Sequence, residues 1–332
     1  MTLRTAFSTI LIIGLAFTGC AAKPTEDTTN ANEPSHVVIS TAPSLAGIPA
    51  TLAVDQGFFE EEGLEVEVVP ATSPAEQAPL LLKGDIQFMY SGVHDTLLAA
   101  GQDMPFKLVV PMTMTGSIDD AEPGFGNLIV AADSDIQEPA DLEGRTVSVT
   151  SIGGTSYMDF VTKLQQLDVD PDEVNWVEVP VQSSLDRLSQ GQVDAATSSE
   201  PFGTMAVEAG DARFLMSADD VIPDVGFLGL VTSDDYASQH PETVQAVANA
   251  ILRANQYALD HPETVEKMAA ETFDISPELA AQVSYPTYAT RLFSAEDVVP
   301  QLERIQRFDP DASLPEAESI LLDDSVFEGN NS

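Results

Sequence analysis

The sequence predicts an α/β protein of two lobes, with mostly parallel sheets, flanking helices and a helical C-terminal segment. Three observations predict it. Short apolar runs of strand character alternate with helix-patterned stretches from Ser35 onward, the signature of βαβ units. A proline- and glycine-rich stretch at 111–126 interrupts that alternation once and reads as a crossing between lobes. After His240, apolar residues recur every three or four positions as far as Phe308, which is helical spacing.

At the N-terminus, Arg4 precedes an uncharged, mostly apolar run at 5–19. A membrane span needs about 20 apolar residues, so this run suits a signal-peptide core better. Phe17-Thr18-Gly19-Cys20 resembles the bacterial lipoprotein box, with Phe where Leu is usual. Residues 1–19 are therefore expected to be removed and Cys20 to carry lipid, which would hold the protein at the outer face of the cell membrane. Residues 20–35, rich in Thr, Asn, Pro and Glu, are expected to form a flexible tether.

The first unit reads as strand 36–40, helix 48–55, strand 64–69, helix 74–83, strand 86–90, helix 93–100 and strand 107–110. In 64–69 apolar and acidic residues alternate, as in a half-buried strand. Beyond the crossing the pattern resumes with strands at 128–132, 145–150, 176–179 and 193–197 and helices at 155–167, 184–190 and 200–209. Apolar runs at 214–216 and 226–231 carry the chain back. The resulting organisation is a discontinuous lobe, 36–112 plus 218–310, with 113–217 inserted as a second lobe and 311–332 as a loosely packed acidic tail. Two crossings make a hinge, and the site belongs in the cleft beyond the carboxyl ends of the strands.

Composition narrows the function. Acidic residues number 54 against 13 Lys and Arg, a formal net charge of −41, while 43% of residues are hydrophobic. That is a folded acidic protein without the clustered cations that nucleic acid requires. A single cysteine excludes disulfide frameworks and Cys-rich zinc sites. Of four histidines, His240 and His261 open a repeated His-Pro-Glu-Thr-Val at 240–244 and 261–265, read as two helix starts with Pro at the first position. No metal or cofactor is expected, and a monomer is.

Candidate ligand contacts lie in strand-end loops. From the first lobe these are Ser44, Leu45, Ser91, Gly92 and His94; from the second, Ser151, Gly153, Gly154, Thr155, Ser156, Gln182, Ser183 and Glu200. Ser151-Ile152-Gly153-Gly154-Thr155-Ser156 opens a helix, so its backbone N–H groups suit an oxyanion or a carbonyl-rich ring. No Lys or Arg occurs in these loops, which counts against a bare anion and keeps a neutral or cationic heterocycle in view.

The motifs carry a resemblance. Leu52-Ala53-Val54-Asp55-Gln56-Gly57-Phe58-Phe59, continued by Gly63-Leu64-Glu65-Val66, is similar to a signature of substrate-binding proteins of ABC importers for nitrate, sulfonates, taurine and thiamine-precursor pyrimidines. Leu81-Leu82-Lys83-Gly84-Asp85-Ile86-Gln87-Phe88 resembles a second motif, with Gln87 where Asp is usual. Pro139-Ala140-Asp141-Leu142-Glu143-Gly144, Leu188 to Ala196 and Glu200-Pro201-Phe202 complete the series in family order. The resemblance implies a type II-like periplasmic-binding-protein fold, hinge closure on a small-molecule ligand, and permease and ATPase partners. A pyrimidine-making enzyme of thiamine synthesis shares the fold family, but its cysteine-rich signature is missing here. No Gly-x-Ser-x-Gly, P-loop or His-Glu-x-x-His occurs either, so no catalysis is expected. The runner-up is a ligand-sensing lipoprotein with no transporter.

Overall fold

The computed structural model describes residues 34–71, 74–116, 124–323 and 326–327. The expected signal segment and Cys20 lie outside these residues. Among the described residues, eleven strands form two sheets. They are β1 (Ser35–Thr41), β2 (Leu64–Pro70), β3 (Phe88–Gly92), β4 (Phe106–Met114), β5 (Gly126–Ala131), β6 (Thr146–Val149), β7 (Asn175–Glu178), β8 (Ala195–Ser199), β9 (Ala212–Ser217), β10 (Gly226–Ser233) and β11 (Thr287–Tyr288). One sheet is ordered β11-β4-β10-β3-β1-β2 and the other β7-β6-β8-β5-β9, with helices packed on both.

The two-sheet α/β architecture is as predicted, but the sheets are mixed rather than mostly parallel. β1 lies parallel to β2 and β3, and β6 parallel to β7 and β8, where a helix makes each crossover. β10 runs antiparallel to β3 and β4, and β5 antiparallel to β8 and β9. Both strands enter their sheet directly from the other half of the molecule. A parallel neighbour needs a long crossover connection; a strand arriving without one pairs antiparallel.

Side-chain alternation along the strands builds the core on both faces. Val37 and Ile39 of β1 pack with Phe88 and with Val244, Val247 and Ile251 of the helix Pro241–Asp260. On the opposite face Leu97, Leu108 and Val231 meet Val298 and Ile305 of the helix Ala295–Phe308. In the second sheet Leu128 and Val130 join one cluster and Ile129, between them, the other, as period-2 geometry requires.

Three expectations are corrected. β4 runs on through Pro111 to Met114 instead of ending before it. The Pro111 carbonyl accepts from Asn255 Nδ2 at 3.1 Å, and the β4–β10 register shifts beside it, between Leu228 opposite Thr113 and Gly229 opposite Pro111, so the residue without an N–H sits at an irregularity of the ladder. The stretch after Ala280 is not helical: β11 sits there, with Tyr288 buried. The described part of the tail, as far as Leu321, is docked rather than loose. Ile320 is 1% exposed in the helix Ala317–Ile320, and Lys107 Nζ donates to the carbonyls of Ser319 and Leu321 at 2.8 and 3.2 Å. The repeated His-Pro-Glu-Thr-Val does open two helices, Pro241–Asp260 and Pro262–Phe273. Gln87 earns its motif position structurally: its Oε1 accepts from Val38 N at 2.8 Å and its Nε2 donates to Gly84 O at 2.8 Å.

Candidate functional site

Where the chain passes between the sheets, elements of both halves enclose a cavity of about 760 Å³. Thr113, Met114 and Thr115 at the end of β4 form one wall, and Phe125, just before β5, stands on the forward crossing. Asp219 and Ile222 come from the return crossing, Tyr285 and Pro286 from the segment before β11. Asp159 of the helix Thr155–Gln166 and Gln301 and Arg304 of Ala295–Phe308 close the site.

The two crossings are stapled to each other. Asp219 Oδ2 accepts from Phe125 N at 2.6 Å, and both its oxygens accept from Gly126 N at 3.2 Å. Thr115 Oγ1 donates to Ile222 O at 2.5 Å and accepts from Val225 N at 3.1 Å. Arg304 donates to Asp159 and to Gln301 Oε1, the latter at 2.9 Å. Thr113 Oγ1 is buried at the cavity wall with no protein partner.

Burial governs the protonation of this region. It pushes the Asp159 carboxyl up to about 7, with Arg304 opposing and the charge of Asp219 adding. Asp219 is pushed up to about 6 by burial, with the Gly126 and Phe125 N–H groups opposing. Burial also raises Glu200 to about 7, donors at Thr204 opposing and the Asp219 charge adding. His94 is lowered to about 4, by burial and then by the charge of Arg304, so it is neutral at physiological pH. The Tyr285 hydroxyl is raised by burial, with the charges of Glu266 and Glu200 adding.

The residues singled out from the sequence fall into three groups. Ser44, Leu45, Ser91 and Gly92 are built into local structure. The Ser44 hydroxyl accepts from Gly47 N at 3.2 Å and bonds the Tyr90 phenol, while Leu45 is fully buried and its carbonyl accepts from Tyr288 OH at 3.2 Å. Ser91 Oγ accepts from Thr96 Oγ1 at 3.1 Å and Gly92 O accepts from the same hydroxyl at 2.7 Å.

The second group is the 151–156 loop with Gln182 and Ser183. Gly153 takes φ +82° and Gly154 caps the helix, so the chain turns as expected. The loop already holds a carboxylate: Ile152 N donates to Glu178 Oε1 at 2.8 Å, and Ser151 Oγ stands 3.4 Å from the same atom. Thr155 begins the helix and Ser156 Oγ lies 3.3 Å from Thr150 Oγ1. Gln182 and Ser183 fall in the first turn of the helix Val181–Ser189; the Gln182 side chain is outside the described residues.

Glu200 and His94 form the third group, behind the cavity wall. Glu200 Oε1 accepts from Asn127 Nδ2 at 3.4 Å, and both residues are buried. None of these sequence-derived residues is among the described residues lining the cavity. Thr113, Asp159, Asp219, Tyr285 and Arg304 were not singled out. The one available signal was Ser284-Tyr285-Pro286-Thr287-Tyr288, a proline between two aromatics inside an otherwise helical stretch.

Among the described residues no group of three His, Cys, Asp or Glu is arranged to hold a metal ion, and no helix is long and apolar enough to cross a membrane.

A family model described as NMT1/THI5 like matches residues 46–265. Among curated proteins, a formylaminopyrimidine-binding protein of Halalkalibacterium halodurans is 23% identical over 246 residues, 73% of this chain and 72% of that protein. A 4-amino-5-hydroxymethyl-2-methylpyrimidine phosphate synthase of Saccharomyces cerevisiae is 24% identical over 263 residues, 74% of this chain and 72% of the enzyme. Among solved structures, the periplasmic aliphatic sulphonate binding protein SsuA of Escherichia coli superposes with a TM-score of 0.72 at 18% identity, covering 89% of this chain and all of that one. The fold is therefore that of the periplasmic binding proteins.

Proposed function

The chain belongs to the NMT1/THI5-like family, and on that premise we propose that it is the substrate-binding component of an ABC importer. It captures a small sulfonate- or nitrate-like or heterocyclic nutrient by closing two lobes, 36–112 with 218–310 against 113–217, over the cavity at the crossings. The observation that carries this reading is the cavity itself: its walls come from the first sheet, from both crossings and from Asp159 on the helix Thr155–Gln166 of the other half. A ligand there touches both halves at once, so it favours the closed state by the contacts that only closure completes.

Export, a lipid anchor at Cys20 and a monomeric state complete the proposal, with a membrane permease and its ATPase as partners that recognise the closed form. The binding-protein relative and the sequence segment at 1–20 support it. The synthase relatives raise an enzymatic alternative. Against it stands the cysteine content, one residue in the whole chain, at the anchor position.

A thermal-shift panel tests the proposal, using alkanesulfonates, taurine, nitrate, bicarbonate and thiamine-precursor pyrimidines at low and high salt. A ligand at about 100 times its dissociation constant adds about 2.7 kcal/mol, a rise of about 4 °C for a chain of this length. Small-angle scattering on the responding ligand should record compaction. Absence of any shift across the panel, in folded protein, overturns the binding reading for these nutrient classes.

A further inference from the structure

We infer that Met158, with the contacts of Arg304 and Arg307 beside it, is the pin of a latch that holds the two halves together independently of any ligand. Resting on the binding-protein reading, the latch regulates how readily the cavity at the crossings opens.

Met158 sits on the helix Thr155–Gln166 of the inserted half, yet its side chain is 1% exposed in a cluster built by the other half, with Leu97, Leu108, Val298 and Ile305. Among the described residues it is the only member of 113–217 in the buried set of that cluster. Methionine suits a seat that is entered and left, because its unbranched side chain adapts to an irregular gap. Drawing it out exposes apolar surface to water, so the seated arrangement is favoured without a ligand.

Polar contacts surround the pin. Asp159, Thr162 and Lys163 share one face of the helix at spacings of three and four. Arg304 donates to Asp159. Burial pushes that carboxyl up to about 7, and a carboxyl oxygen accepts a guanidinium N–H in either protonation state. Arg307 Nη2 donates to Thr162 Oγ1 at 2.8 Å. That hydroxyl donates onward to the Met158 carbonyl at 2.7 Å, which leaves its lone pairs to the arginine. Lys163 Nζ meets both Asp220 oxygens, at 3.0 and 2.8 Å, on the return crossing. An apolar centre ringed by polar contacts is the make-up of a surface between two bodies that can part.

The latch carries its own reporter. Phe308, next to Arg307, meets Tyr157 edge-on at 6.3 Å, and Tyr157 meets Trp176 edge-on at 5.3 Å. Trp176 is the only tryptophan in the chain. It lies in β7 of the inserted half, with its Nε1 donating to Pro171 O at 3.1 Å. When Met158 leaves its seat, Phe308 parts from Tyr157 and the surroundings of Trp176 change.

The purified full chain without ligand serves for the test. Small-angle scattering and tryptophan emission are recorded for the parent, Met158→Ala, Met158→Leu and Arg307→Ala, alongside thermal melts. Met158→Ala should shift the balance from seated to open molecules by about tenfold or more, read as a larger radius of gyration and a red-shifted emission. Met158→Leu conserves volume and should return both readings to those of the parent. Arg307 is exposed, so Arg307→Ala should move both readings in the same direction, by less, without lowering the melting temperature. A lower melting temperature in Met158→Ala with radius and emission unchanged would make Met158 ordinary core filling and overturn the latch. Should Met158→Ala not fold, Arg307→Ala decides, and an unchanged radius and emission there overturn the latch equally. No ligand enters these measurements, so their failure leaves the importer reading intact, while silence across the thermal-shift panel bears on that reading alone.

Discussion

Asp159, Glu200 and Asp219 are carboxyls held where burial disfavours their charged form, and the consequence is a stability profile of unusual sign. Their native values stand at about 7, about 7 and about 6, above ordinary carboxyls. Between about pH 4 and about pH 7 the native state therefore binds more protons than the unfolded chain, and stability falls as pH rises through that window. Asp297 opposes the trend. Burial works against its charge, but the Arg291 guanidinium at 2.6 and 2.7 Å and the Gly226 N–H keep it below the ordinary value. Glu200→Gln keeps an acceptor for Asn127 and removes one raised acid. It should raise the melting temperature by about 2–4 °C at about pH 8 and by much less at about pH 5. Thermal melts across that range check it; parallel profiles for the variant and the parent would count against the assigned cause.

At the scale of elements, the helix Ala295–Phe308 is a tie-bar rather than a lid on the core. Asp297 binds Gly226 N at 2.6 Å and Gln301 donates to Gly226 O at 3.3 Å, which fixes the return crossing. Further along, Arg304 reaches Asp159 and Arg307 donates to Thr162 Oγ1 at 2.8 Å, both on the helix Thr155–Gln166 of the other half. Positions 297, 301 and 304 recur at helical spacing, so one face carries the polar work while Val298 and Ile305 stay in the core. The docked tail is a second such element. A Cβ at Gly101 would collide with the Ser313 carbonyl, so glycine is required for the tail to lie where it does. Gly101→Ala should cost about 1–3 kcal/mol in urea denaturation and speed proteolytic cleavage after Asp309. Unchanged cleavage would show that the tail does not depend on that contact.

For the whole molecule, two aromatic pairs join the halves. Tyr157 meets Phe308 edge-on at 6.3 Å, and Phe202 meets Phe273 edge-on at 5.9 Å. Phe202 remains 44% exposed, an apolar ring kept at the surface by what it touches across the gap. A double-mutant cycle on Phe202→Ala and Phe273→Ala should give a coupling of about 0.5–1.5 kcal/mol in ligand affinity, roughly three- to tenfold. Additive losses would mean that the ring pair plays no part in closure.

Local chemistry determined much of this protein before any packing was considered. Alternating apolar periods placed the strands and helices. Positive-φ glycines at 57, 63, 84, 144 and 191 fixed the turns inside the family motifs, and the His-Pro-Glu-Thr-Val repeat set two helix starts. Such features are legible because each depends on neighbours within one or two turns of chain. Strand direction in β5 and β10 was not legible, since it depends on which half a strand arrives from. Nor were the cavity residues. Asp159, Asp219 and Arg304 are ordinary charged residues in a chain with 54 acids, and nothing local distinguishes them. Only the tertiary structure brings them together, because what makes them distinctive is burial beside one another, and burial is a property of segments more than a hundred residues apart in sequence coming into contact.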